Sequence, residues 1–152
     1  MIRLLLMRRV IVSAVMILWV TMVSPNLVHA HLGDDGDRVE DEYGPLARRH
    51  LLDDGTLTAT FHKDTEPYVY VVLFDHGMSV SEKISRTDGR ELTEKEIAKF
   101  LKANAARAKW TKMPENDDKT KRRFERSDRR AEATYGEIAG VSTLTVREIR
   151  AR

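Results

Sequence analysis

Tyr68-Val69-Tyr70-Val71-Val72-Leu73-Phe74-Asp75-His76-Gly77 is the long apolar run of this sequence beyond its first thirty residues. It combines β-branched and aromatic residues, the types that fit a pleated, half-buried surface. The run predicts the central strand of a small sheet. Gly77 supplies the conformational freedom that a tight hairpin turn demands. The apolar residues do not alternate cleanly, which predicts cover over both faces, at least in part. An aspartate at Val71 or Leu73 is therefore expected to unfold the domain.

Working outward, Leu57, Ala59 and Phe61 alternate with Thr58, Thr60 and His62, the period of a half-buried strand. Met78–Arg86 is the expected hairpin partner of the central strand, with Met78, Val80 and Ile84 on one face. Glu82 falls on that same face, and a sheet margin is the expected place for such a charge. Thr93 with Glu96 has the spacing of a capping box, and Leu92 with Ile97 that of a hydrophobic staple. Ile97, Phe100, Leu101 and Ala105 then form one apolar stripe, predicting a helix from Glu94 to about Ala106 with Trp110 folded back on the core. A shorter helix is expected from Asp37 to Tyr43, capped by Asp34 or Asp37 and ended by Gly44-Pro45. Three further strands are expected over 121–126, 131–135 and 141–149. The fold class is α+β: an antiparallel sheet of about five to six strands packed with one main helix and a short N-terminal helix. The two halves are loosely similar in layout but not in sequence.

Residues 1–30 have the order of a secretory signal: Arg3, Arg8 and Arg9, an apolar run from Val10 to Val23, a polar break at Ser24-Pro25-Asn26, and Val28-His29-Ala30 before the cleavage point. The expected division is a signal peptide over 1–30 and a single α+β domain over 31–152, placed in the periplasm or outside the cell. The apolar run is shorter than the roughly 20 residues a membrane-spanning helix needs. Removing those three arginines from 26 basic residues leaves 23, against 24 acidic. Such a balance suggests no nucleic-acid partner. The sequence has no cysteine, which excludes a lipid-modified cysteine, thiol catalysis and Cys-ligated metal.

Cleavage after Ala30 would make His31 the first residue of the mature chain. A free amine and an imidazole on one residue can chelate copper together, and His31 is the candidate metal ligand, with His50, His62 or His76 as the second. In this it resembles copper-dependent oxygenases and periplasmic copper carriers, at that single residue. The acidic stretches Asp34–Asp37 and Glu115–Asp118 lack the ligand order of a calcium loop and are expected to be solvated. Lys119–Arg130 carries seven basic residues against two acidic ones, a pattern that suits an exposed edge strand or an anionic envelope surface. Hydrolase motifs are absent: there is no Gly-x-Ser-x-Gly, His-Glu-x-x-His or phosphate loop. Neither catalysis nor a cofactor is expected.

Glu42-Tyr43-Gly44-Pro45, Phe74-Asp75-His76-Gly77, Leu92-Thr93 through Glu96-Ile97, then Leu101, Asn104 and Trp110 together resemble a group of small exported bacterial proteins without an assigned function. The resemblance covers roughly Val39 to Trp110. The order of helix, Tyr-Gly-Pro and strands is also similar to the β-lactamase-inhibitor-like fold, whose members include outer-membrane assembly lipoproteins and inhibitor modules that bind partners through their sheets. It implies a protein-interaction or structural module of the cell envelope, with another envelope or extracellular protein as partner. The missing lipid-anchor cysteine departs from the assembly lipoproteins.

Overall fold

A computed structural model describes residues 31–114 and 120–149. Helix α1 (Gly36–Tyr43) leads into β1 (Leu46–Leu51), β2 (Leu57–His62), β3 (Tyr68–Asp75) and β4 (Met78–Arg86). Helix α2 (Glu94–Ala103) then leads into β5 (Trp110–Lys112), β6 (Arg122–Arg126), β7 (Ala131–Ile138) and β8 (Val141–Glu148). All eight strands form one antiparallel sheet in the order β1-β2-β3-β4-β8-β7-β6-β5. Each half is a helix followed by a four-stranded meander, and the halves join at β4 and β8. The α+β class and both helices agree with expectation, but the strand number does not. The two additional strands, β1 and β5, are the sheet's margins. A margin strand pairs on one side only, so burial does not impose alternation on it: β1 is almost wholly exposed and β5 is three residues long.

Local chemistry explains the turns. His76-Gly77 and Ala139-Gly140 both place two successive residues at positive φ, near 50° and 80°. That geometry matches the right-handed strand twist, so each glycine permits a two-residue hairpin. The capping box is formed: Thr93 Oγ1 accepts from the Glu96 amide, and Glu96 accepts from the Thr93 amide. Helix α2 ends at Ala103, shorter than predicted, because Asn104 takes the C-cap. Asp35 caps α1.

Gly44 ends α1 at φ 91°, and its amide donates to the Glu40 carbonyl. A Cβ there would lie 2.9 Å from the His62 carbonyl oxygen and 3.0 Å from Lys63 Cα. Gly44→Ala is expected to cost on the order of 2–3 kcal/mol, since backbone atoms must move and the conformation suits glycine alone. A urea unfolding midpoint unchanged from wild type would refute this.

Strand β3 alternates strictly. Tyr68, Tyr70, Val72 and Phe74 are buried, while Val69, Val71 and Leu73 are half-buried on the opposite face. Both helices lie over the first set: Tyr43 stacks on Tyr70 with ring centroids 3.9 Å apart, and Phe100 meets Tyr68 and Tyr70 edge-on. The core is thus one layer between helices and sheet, with Phe61, Ile84, Leu92, Ile97, Tyr135 and Leu144 completing it. Val71 and Leu73 belong to the other face, so the position where a charge breaks the core is Val72.

Candidate functional site

A β-bulge decides the site. Leu73 pairs with Ser81 and Phe74 with Ser79, leaving Val80 as the extra residue. The bulge reverses the phase of β4 at its start. Ser79, Glu82 and Ile84 turn inward, while Met78 is exposed and Val80 half-buried. Glu82 is therefore not at a margin. It occupies the middle of the inner row Arg49, Ala59, Val72, Glu82, Val146, Ala133, Phe124, Lys112, and is fully buried.

The ends of both helices meet on this carboxyl. Tyr43, the last residue of α1, donates its hydroxyl to Glu82 Oε2 at 2.9 Å, and Asn104, the cap of α2, donates Nδ2 to the same oxygen at 2.9 Å. Asn104 also accepts the Leu32 amide on Oδ1 and the Arg126 guanidinium on its carbonyl. One carboxylate thus ties together α1, α2, β4, β6 and the segment before α1. Its Oε1 has no hydrogen-bond partner among the described residues. Burial pushes the Glu82 carboxyl up to about 7, against the hydrogen bonds from Asn104 and Tyr43, with the Asp34 charge adding a little. Burial, and then Glu82 beside it, raise the Tyr43 hydroxyl well above its ordinary value, so it stays a donor. A fully buried carboxyl touches no solute; in this conformation its work is to hold the helices on the sheet. The sequence signal is a lone acid on an apolar face. The bulge and the second helix, which make it central, leave no such mark in the sequence.

The candidate histidines stand on different elements of the fold. The His31 amide donates to Asp34 Oδ2 at 2.8 Å, and its carbonyl accepts from Ser79 Oγ at 2.8 Å, fixing it beside the start of β4. His50 is exposed on β1. His62 Nδ1 lies 2.8 Å from the Tyr68 carbonyl, and His76 Nδ1 lies 2.8 Å from Asp75 in the β3–β4 turn. Among the described residues no three His, Asp or Glu side chains are grouped to hold a metal ion. Of the acidic stretches, Asp34 and Asp35 serve as acceptors for local backbone groups, and 115–118 lie outside the described residues, as do residues 1–30, where the sequence leads one to expect a signal peptide. The basic cluster is divided: Arg122 pairs with Glu94 and lies over the Tyr135 ring, Arg126 is buried, and Arg129 and Arg130 are exposed.

The face opposite the helices is the larger feature. Strand register places His50, Thr58, Leu73, Ser81, Arg147, Glu132, Glu125 and Thr111 in one row across all eight strands. The next row runs Arg48, Thr60, Val71, Lys83, Thr145, Thr134, Arg123. Neither helix lies on these rows. The face has an aliphatic stripe on β3, threonines on both sides, and charges that are mostly basic: Arg48, Lys83, Arg123 and Arg147 against Glu125 and Glu132. Arg147 and Glu132 are paired.

Comparison with protein-family models, curated proteins and solved structures returned no match.

Proposed function

We propose that this chain is an exported, non-catalytic protein-interaction module of the cell envelope, and that its partner docks on the open face of the sheet. The observation that carries the reading is the Val69–Val71–Leu73 stripe, left half-exposed on the third strand of an eight-stranded face while both helices cover the other. A soluble antiparallel sheet usually turns polar residues outward. An aliphatic row framed by threonines and a basic surround favours a folded protein surface with a small apolar centre and an acidic rim. The resemblance to sheet-binding modules of the envelope, and the signal-like first thirty residues, support the same reading.

The test is recovery of a binding partner from envelope extract at physiological salt, with wild type and Leu73→Asp side by side. Wild type is expected to retain a partner that Leu73→Asp loses, with both proteins giving a cooperative thermal transition. Equal recovery by the two folded proteins would sink the proposal. Mass spectrometry of the exported protein is expected to find His31 at its N-terminus.

A further inference from the structure

One end of the sheet holds a groove of about 970 Å³ that the open-face reading does not use. Its walls come from the β3–β4 turn, the β6–β7 turn and the chain just after β8. Three guanidinium groups line it: Arg126, Arg129 and Arg130. One carboxylate holds the guanidinium of Arg126 and the turn that carries the other two. Asp128 Oδ1 accepts from Arg126 Nε at 2.9 Å and from the Arg130 amide at 3.0 Å, while the Arg129 amide donates to the Arg126 carbonyl at 2.7 Å.

Arg126 is 8% exposed, and its Nη1 is spent on the Asn104 carbonyl. Nη2 takes part in neither of the bonds made by Nε and Nη1. Arg129 has only a loose contact with Glu125, at 3.9 Å, and the Arg130 side chain forms no ion pair among the described residues. Two carboxylates share the groove. Asp75 is engaged by His76 at 2.8 Å, and Glu148 has interactions of its own. Three guanidinium groups thus face two carboxylates across the groove, and a third carboxylate, Asp128, is bonded to Arg126.

Beside Gly33, His76 and Ser79, the lining has an apolar part made of Met78, Val80 and Ile149. Met78 and Ile149 are 45% and 42% exposed, among the large hydrophobic side chains the fold leaves uncovered, and Val80, the bulge residue, lies with them. The backbone bond from the Ile149 amide to the Arg130 carbonyl, 2.9 Å, holds the apolar and cationic parts side by side. Guanidinium groups prefer oxyanions, which they can bind in bidentate fashion. An aliphatic floor prefers a hydrocarbon chain, and the volume suits a small molecule.

We propose that this groove binds an amphipathic anion: a phosphate or carboxylate head held by Arg126, Arg129 and Arg130, with its alkyl chain over Met78, Val80 and Ile149. Such a head and chain occur both on monomeric ligands and in anionic lipid.

Calorimetric titration of the folded domain with octyl phosphate, below its micelle concentration, tests this. Octyl phosphate is expected to bind at least about tenfold more tightly than either inorganic phosphate or neutral octyl glucoside, since head and chain contribute separately. The Arg129→Ala/Arg130→Ala double variant, altered only at exposed side chains, is expected to weaken octyl phosphate about tenfold. Met78→Ser is expected to weaken it while leaving inorganic phosphate unchanged. Equal binding of octyl glucoside, equal binding by the folded double variant, or equal binding of a short acidic peptide would overturn the proposal. Co-sedimentation with phosphatidylcholine vesicles, with and without phosphatidylglycerol, separates the two sources. Binding to anionic vesicles without binding of monomeric octyl phosphate would also overturn it, since the arginines would then be a surface patch and not a site.

Discussion

Val72→Asp is expected to leave the chain unfolded in buffer at room temperature. Val72 is 0% exposed at the centre of β3, between Ala59 on β2 and Glu82 on β4. An aspartate there would place a second carboxylate directly across from Glu82, with no cation in that part of the row. Burying an unpaired charge costs several kcal/mol, and the repulsion adds to it. Domains of this size are stable by roughly 5–15 kcal/mol, and this one has no disulfide to offset the loss. Val71→Asp, one residue along, faces the open side and is expected to stay folded. Circular dichroism of the pair is the measurement. Two folded variants, or two unfolded ones, would contradict the assignment of the two faces of β3.

The second large effect is in pH. In the unfolded chain Glu82 has its ordinary carboxyl pKa, near 4.5; in the folded protein burial moves it up to about 7. The folded state thus binds this proton more tightly. The sign follows: the stability Glu82 contributes is fully present below about pH 4.5 and is lost as pH rises through about 7. From the size of the shift, the loss is on the order of 3 kcal/mol. Urea unfolding should therefore give a lower midpoint at pH 8 than at pH 5. Glu82→Gln keeps an oxygen able to accept from Tyr43 and Asn104 but cannot ionise, so its midpoint should vary much less over that range. A Gln variant that keeps the full wild-type slope would assign the effect to another group. Glu82→Ala is expected to destabilise at both pH values, because it orphans the Tyr43 hydroxyl and Asn104 Nδ2 in the core.

Much of this fold is legible in the order of its residues. Period-two patterning marks β2, the dense β-branched and aromatic run marks β3, and the Asp75-His76-Gly77 turn points to the hairpin with β4. Thr93 with Glu96 locates the start of α2 to the residue. These signals are local. A cap, a turn or an amphipathic face depends on residues within one or two turns of chain, so the sequence carries it in full. Where partners lie far apart, the pattern is silent. β1 and β5 have one neighbour each and little burial, so their residues need not alternate. The apolar pattern also misphases the inward face of β4, because Val80 looks like a core residue until the pairing with β3 shows it to be a bulge.

The candidate site follows the same division. Sequence alone determined that the chain is α+β, that it has no cysteine chemistry, that Tyr68–Gly77 is one arm of a hairpin, and that Glu82 is out of place; the sheet's centre falls instead on β4 and β8. It could not say what Glu82 is for. The residues that hold it, Tyr43 and Asn104, are 39 and 22 positions away and come from the ends of two helices. Nor could it give β3 a buried side and an open side: Val71 and Val72 are chemically the same, and only the helices, both laid over one face, decide which of them is buried. A local pattern records what a residue prefers. Which preference is met, and which surface is left over, depends on long-range packing that only the tertiary structure brings about.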